Sequence, residues 1–279
     1  MSGLKTAPST RLRTGFIGVG SQGAPMAQRM LDAGHALTVW ARRAEVAQEW
    51  AGKGAATAAT VAQLGAACDH VGVCVVNDSD VAEICDQLIP AMRQGSLLAI
   101  HSTILPESCE KLEARCAQRG IAFLDAPVSG GEPAASAGVL TVMCGGAEAA
   151  FAAARPVFES FGKMIVLLGP AGSGQRAKIV NNALMAAHFG VGHAAAQAAG
   201  ALGIDKAAFC ELINASSGRS YAFEVYARLP SPAAFSMGAP LLRKDVDLLA
   251  AVLSGDRNTK VLKNAADYFL DPALAGPSD

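Results

Sequence analysis

The stretch that decides the fold is residues 14–31, TGFIGVGSQGAPMAQRML. Its opening, Thr14–Val19, is a short apolar run of the kind that forms a buried strand. Gly18-Val19-Gly20-Ser21-Gln22-Gly23 then turns the chain. Pro25 suits the first turn of a helix, and Gly34 suits its end. Strand, glycine turn and helix in that order give a G-x-G-x-x-G pattern its meaning. The glycines permit a tight turn and let a pyrophosphate approach the unpaired N–H groups at the helix start.

Working outward, the same alternation continues. Apolar runs at Leu37–Trp40, His70–Val76, Ser96–Ser102 and Ala122–Asp125 predict strands. The segments Gly23–Ala33, Arg43–Ala51, Asp80–Ala91 and Pro106–Arg119 between them predict helices. Short Val/Ile-rich strands joined by helices predict a parallel sheet covered on both faces. Leu140–Cys144, a helix over Ala147–Phe161 and Met164–Leu168 extend that sheet. Gly169-Pro170-Ala171-Gly172-Ser173-Gly174 breaks the alternation, and everything after it reads as helix.

The first of these helices runs from Gln175 to about Leu202, roughly 42 Å at 1.5 Å per residue. A second starts at Asp205, a good N-cap, and ends at Ser216-Ser217-Gly218. Pro230 and Pro232 mark a loop, and further helices follow Pro240 and Thr259. The predicted fold is therefore α/β. An N-terminal doubly wound Rossmann sheet over residues 12–170 is followed by an all-α domain over residues 171–279, opened by a long interdomain helix.

Composition supports a packed, near-neutral protein. Its 279 residues suffice for one large domain or two small ones. With 51% hydrophobic and 17% charged residues, a disordered chain is excluded. A net charge of −1 argues against nucleic acid or an anionic membrane as the main partner, since both need a basic footprint. Seven cysteines, odd in number and without a C-x-x-C pair, read as reduced and mostly buried. Met1–Leu12 lacks the apolar run of a secretory signal, so a cytoplasmic protein is expected. Residues 179–204 carry no charge, but Asn181, Asn182, His188, His193 and Gln197 are a heavy polar load for a bilayer. A soluble helix buried nearly all round is the reading preferred.

The end of the second strand bears on the dinucleotide. Val39-Trp40-Ala41-Arg42-Arg43 has no acid before Glu45 to hold a ribose 2′-hydroxyl. Arg42 and Arg43 suit a 2′-phosphate, which guanidinium groups grip with paired charge-assisted hydrogen bonds. NADP is expected, with NAD possible.

Two further motifs carry chemistry. Asp125-Ala126-Pro127-Val128-Ser129-Gly130-Gly131 follows a strand end, where open parallel sheets bind ligands. Its adjacent glycines can expose backbone N–H groups to a carboxylate. Lys178, Asn181 and Asn182 stand at i, i+3 and i+4, on one face of a helix that carries no charge after Lys178. Desolvation lowers a lysine pKa, which fits it for proton transfer near neutral pH. No metal site is expected. His188 and His193 stand five apart with no Glu between them, unlike a zinc-binding H-E-x-x-H pair.

Gly15–Gly20, Asp125–Gly131, Gly172–Asn182 and Lys244-Asp245 occur in this order and at this spacing. In these motifs the chain resembles the β-hydroxyacid dehydrogenase family, whose members include 3-hydroxyisobutyrate dehydrogenase and the glyoxylate/succinic semialdehyde reductases. The resemblance implies an NADP-dependent oxidoreductase that interconverts a small 3-hydroxy acid and its semialdehyde or oxo acid. It also implies a helical domain that supports a homo-oligomer, a dimer or tetramer. Carried over by motif position, Lys178 would be the catalytic acid/base. Ser129, Gly130 and Gly131 would take the substrate carboxylate, with Asn182, Thr103 and Phe235 completing the substrate site. Gly18, Val19, Gly20, Gln22, Gly23, Val75, Val76, Thr103 and Lys244 would join Arg42 and Arg43 around the cofactor. Tyr221, Phe223 and Arg219 are further candidates for the substrate pocket.

The chain departs from the family pattern in places. Gln22 replaces a common Met, Arg29 a common Asn, and Ile100-His101 an acidic, small-residue approach to Ser102-Thr103. Val75-Val76-Asn77-Asp78 replaces a Leu-Pro turn, and the usual final helix is read as shortened to Asp271–Asp279. Three alternatives remain open on this scaffold: an imine-reductase-like enzyme, a phosphogluconate-type dehydrogenase and a catalytically idle dinucleotide-binding protein. Lys178 weighs against the first and the last.

Overall fold

The structure is a computed structural model and describes residues 12–275. The reading of Met1–Leu12 falls almost wholly outside them, as do residues 276–279. The chain divides into two compact units, the division falling after Gln175.

In the first unit, β1 (Arg13–Ile17) leads through α1 (Gly23–Asp32) to β2 (Ala36–Trp40), and α2 (Ala44–Gly52) to β3 (Ala56–Thr57). There follow α3 (Val61–Ala67), β4 (His70–Val73), α4 (Asp78–Ala91), β5 (Leu97–Ile100), α5 (Pro106–Ala117) and β6 (Ala122–Asp125). The unit closes with β7 (Val128–Ser129), α6 (Gly131–Ala137), β8 (Leu140–Gly146), α7 (Glu148–Phe158) and β9 (Gly162–Leu167). Among the described residues the strands form one nine-stranded sheet, ordered β3-β2-β1-β4-β5-β6-β8-β7, with β9 paired to β8.

Residue alternation explains why this sheet is covered on both sides. Phe16, Val39, Leu97 and Ala99 belong to one core, packed against Met26 and Met30 of α1. Their strand neighbours Ile17, Leu98 and Ile100 belong to the other, against Leu64, Ile84, Leu88 and Cys109 of α3, α4 and α5. Successive Cβ atoms point to opposite faces, so a run apolar at every position feeds two cores. From β3 to β6 the sheet is parallel, as read from the sequence. Beyond β6 the expectation needs correction. β8 runs antiparallel to both β6 and β7, so the β8–α7–β9 unit enters the sheet reversed.

The second unit is helical. It holds most of α8 (Ser173–Ala201), then α9 (Lys206–Ala215), α10 (Tyr221–Tyr226), a 3₁₀ turn at Pro232–Phe235, α11 (Ala239–Val252) and α12 (Arg257–Ala275). Its core gathers Ile179, Ala186 and Phe189 of α8 with Phe223, Leu242, Val246 and Phe269. The uncharged stretch is not buried all round: Val180, Leu184 and Val191 are exposed along one side of α8. No helix among the described residues is long and apolar enough to cross a membrane. The last helix is not shortened to Asp271–Asp279, because α12 runs 19 residues through Pro272.

Candidate active site

The strand order reverses at β1, with β2 on one side and β4 on the other, and ligands of open α/β sheets bind at such a switch point. There the three glycines have separate tasks. Gly18 has φ +95°, and a Cβ on it would overlap the Cys74 carbonyl. A Cβ on Gly23 would overlap the Gly18 carbonyl, so this glycine lets α1 close on β1. A Cβ on Gly20 would meet nothing within 4 Å, which leaves open space in front of the helix start. Gln22 precedes α1, and its buried Nε2 has no hydrogen-bond partner in the structure. A cleft of about 260 Å³ runs along residues 17–20, 40–43 and 74–76.

Arg42 and Arg43 sit at the β2 end of this cleft. Arg42 is not isolated: its Nη2 lies 3.3 Å from Asp80 Oδ1 and 3.0 Å from Glu83 Oε2, both on α4. Arg43 Nε lies 3.8 Å from Glu45. Val75 donates its N–H to Ser102 Oγ at 2.8 Å, which ties the end of β4 to the Ser102–Thr103 segment. Val76 is exposed beside the cleft.

Thr103 lies in a strip fixed from several sides. Gln175, fully buried, donates from Nε2 to the Ser102 carbonyl at 2.8 Å and accepts from the Ile104 N–H at 3.2 Å. Asp78 accepts from the Leu105 N–H at 3.0 Å and from Ser108 Oγ at 2.7 Å. Asp125, at the end of β6, accepts from the Gly172 N–H at 2.7 Å and the Gln175 N–H at 2.8 Å. Burial pushes its carboxyl above the ordinary range, and these backbone donors pull in the other direction. Two residues on, Pro127-Val128-Ser129 passes into Gly130 and Gly131 with φ +129° and +68°. Both lie in the region that favours glycine, and α6 starts at Gly131.

In the helical unit, Lys178 and Asn182 are both buried on α8. Asn181 Nδ2 donates to Asn182 Oδ1 at 3.0 Å, and Asn182 Nδ2 donates to Asp245 Oδ2 at 2.5 Å. Lys244 Nζ stands 3.3 Å from Asp245 Oδ1, an ion-pair contact that lacks hydrogen-bond geometry. Lys178, Asn182, Lys244 and Asp245 therefore belong to one neighbourhood of α8 and α11. Phe235 does not join it. Its ring lies 4.9 Å from Phe189 and 5.8 Å from Phe269, and Phe189 is eleven residues, about 16 Å of helix, beyond Lys178. Phe223 is core, while Tyr221 is exposed and Arg219 lines a separate cavity of about 430 Å³ with His188 and Gly192.

Sequence reasoning missed Asp245, Gln175 and Asp78 as site-building residues. Asp245 and Gln175 stand inside the family-like motifs, but nothing in one sequence announces a partner 63 or 73 positions away. The histidines read as structural. His70 and His101 are buried, and desolvation pushes them down to about 3 and about 4. Burial likewise pushes the thiols of Cys85, Cys116 and Cys144 up to about 12, and all seven cysteines are free.

A doubly wound sheet with this glycine cradle, joined to a helical unit that opens on a buried lysine, defines a nicotinamide-dinucleotide oxidoreductase. Comparison with known proteins makes the class specific. Residues 13–169 match the NAD binding domain of 6-phosphogluconate dehydrogenase. Residues 172–270 match the family described as the NAD-binding domain of NADP-dependent 3-hydroxyisobutyrate dehydrogenase. The chain is 40% identical to the NAD-dependent L-serine dehydrogenase of Pseudomonas aeruginosa, over 84% of this chain and 82% of that one. It is 34% identical to the mitochondrial 3-hydroxyisobutyrate dehydrogenase of Drosophila melanogaster, over 88% of this chain and 78% of the relative. The structure of Mycobacterium tuberculosis 3-hydroxyisobutyrate dehydrogenase with L-serine superposes with a TM-score of 0.83 at 27% identity, covering 95% of this chain and 94% of the other.

The chain belongs to the β-hydroxyacid dehydrogenase family and is an NAD(P)-dependent hydroxyacid dehydrogenase. The residues present fit a nicotinamide dinucleotide. The open space before Gly20 and the unpartnered Gln22 Nε2 lie where the α1 N–H groups would meet a pyrophosphate.

Proposed function

We propose that this protein interconverts a small 3-hydroxy acid and its semialdehyde or oxo acid with NADP, Lys178 acting as the acid/base. The observation that carries the reading is Lys178 itself. It is a buried lysine one helical turn from Asn182, in a family that oxidises hydroxy acids. In oxidation, neutral Lys178 Nζ takes the proton of the substrate hydroxyl, and in reduction its ammonium returns that proton to the developing alkoxide. The dinucleotide, when bound, supplies or accepts the hydride. Ser129 and the N–H groups of Gly130 and Gly131 hold the carboxylate. Asn182, steadied by Asp245, orients the substrate, and Thr103 lies against both substrate and cofactor.

On the cofactor side, Gly18, Val19, Gly20, Gln22 and Gly23 would hold the pyrophosphate, with Val75 and Val76 beside the adenosine and Lys244 as a further cofactor contact. Arg42 and Arg43 would hold a 2′-phosphate and so favour NADP, Arg42 then exchanging its carboxylate partners Asp80 and Glu83 for phosphate. Residues 12–170 serve as the nucleotide domain and 171–279 as the substrate domain of a cytoplasmic homo-oligomer. The names of the relatives point to two substrates that differ only at C2, 3-hydroxyisobutyrate and L-serine.

An absorbance assay of nicotinamide oxidation state tests this. It runs 3-hydroxyisobutyrate, L-serine and threonate with NADP and NAD, and the corresponding semialdehydes, glyoxylate and succinic semialdehyde with NADPH and NADH. Lys178→Ala is expected to lower kcat by about 10²–10⁴-fold while dinucleotide affinity stays within twofold. Unchanged turnover in that variant would sink the assignment.

A further inference from the structure

Gln175 is a fully buried side chain with both ends of its amide hydrogen-bonded, and the chemistry proposed for the site does not use it. Its amide spans one residue. Nε2 donates to the carbonyl of Ser102 and Oε1 accepts from the N–H of Ile104, so the two bonds bracket Thr103. That is the pattern by which a neighbouring strand would pair with residues i−1 and i+1. Yet β5 ended at Ile100, and no strand pairing extends to these residues. The side-chain amide therefore takes the place of one rung of ladder, just beyond the sheet.

Its own backbone is held equally firmly, by Asp125 through the Gln175 N–H. The other anchors of the strip, Val75 to Ser102 Oγ and Asp78 to the Leu105 N–H, lie on either side of Thr103 and do not touch its flanking peptide groups in the same way. We propose that Gln175 is the positioning residue for Thr103, its amide fixing the Ser102–Ile104 backbone so that the Thr103 hydroxyl stands where turnover requires it. This inference rests on the reading of Thr103 as a substrate- and cofactor-facing residue.

The two bonds impose a test that bulk alone cannot imitate. Gln175→Glu keeps the shape and the acceptor for Ile104 N–H. Only its protonated form can donate to the Ser102 carbonyl; the ionised form sets two oxygens against each other. The charged and titratable groups around it are Asp125 at the end of β6, Asp78 on α4 and the Cys109 thiol on α5, with Lys178 one turn along α8. Burial and the two carboxylates raise the pKa of the introduced acid, and Lys178 opposes them.

The experiment measures kcat, KM, dinucleotide affinity and Tm across pH for Gln175→Glu, Gln175→Leu and Thr103→Val beside the unaltered enzyme. Gln175→Glu is expected to approach normal kcat at low pH and to lose kcat as its carboxyl ionises, on a limb that the unaltered enzyme and Gln175→Leu lack. Gln175→Leu is expected to lower kcat at least tenfold at every pH, with dinucleotide affinity within twofold. If Gln175→Leu fails to fold, Gln175→Glu carries the test alone, since its protonated form restores both bonds. Normal kcat and pH profile in folded Gln175 variants, with Thr103→Val impaired, would overturn the inference and leave the Thr103 reading standing. Normal kcat in Thr103→Val would overturn that reading and the inference with it.

Discussion

Arg42 illustrates how much one residue's setting changes what its type implies. From Val39–Glu45 alone, two arginines at the end of β2 with no acid ahead of them read as a 2′-phosphate grip. The sequence did not reveal that Asp80 and Glu83, some 40 positions on, reach across from α4 to the same guanidinium. These exposed pairs are worth about 0.2–1 kcal/mol each, so they moderate the arginine without cancelling it. Glu83→Gln is expected to raise the kcat/KM preference for NADP over NAD by about 1.4- to 5-fold, and Arg42→Ala to lower it. Both follow from initial rates with each cofactor. An unmoved ratio in Arg42→Ala would remove the arginine from cofactor choice altogether. Asn182 makes the same point, since its amide is oriented by Asp245, a partner that only folding brings near.

Among the elements, those with strong apolar contrast were legible and those built from small residues were not. β1, β4 and β5 announced themselves because both faces of each strand are buried. By contrast α3 (VAQLGAA) and α6 (GEPAASA) offer mostly alanine, glycine and serine, which carry little periodic signal. The reversed entry of β8 depends on pairing geometry that no local pattern encodes. Within α8, glycines that look alike in sequence have opposite roles. A Cβ on Gly190 would overlap the Ala265 carbonyl of α12, a backbone atom that cannot swing aside, whereas one on Gly200 would meet nothing within 4 Å. Gly190→Ala is therefore expected to destabilise the helical unit by about 1–3 kcal/mol through overpacking. Gly200→Ala should stabilise it by up to about 1 kcal/mol, because alanine is the better helix former and the site is open. Urea titration of both variants, followed by far-UV circular dichroism, checks the opposite signs. The same sign for both would mean that α12 does not pack against α8 at Gly190.

At the scale of the whole molecule, the site depends on a nucleotide-binding unit whose interior holds two uncharged imidazoles. His101 stacks on Phe16 at 6.0 Å and meets Phe158 and Phe161 edge-on, and its Nδ1–H donates to the Ala126 carbonyl at 2.8 Å. His70 meets Phe158 edge-on, and its buried Nε2 has no partner. Desolvation is the main cause of both depressed values, about 3 for His70 and about 4 for His101, against an ordinary 6.5. The sign follows from which state binds protons. Below about pH 6.5 the unfolded chain protonates both rings while the folded chain does not, so unfolding takes up protons and stability decreases as pH is lowered. Their contribution is fully present above 6.5 and is lost as pH falls towards 4 and then 3, at a limiting slope of about 1.4 kcal/mol per pH unit for each ring. His70→Leu removes one of these protons without asking the aromatic cluster to accept a new polar atom. Its urea-unfolding free energy is expected to decline less steeply than that of the unaltered protein between pH 6.5 and 4.5, by close to one proton's slope. Equal slopes would show that His70 titrates normally in the folded protein, and that water reaches the interior at the start of β4.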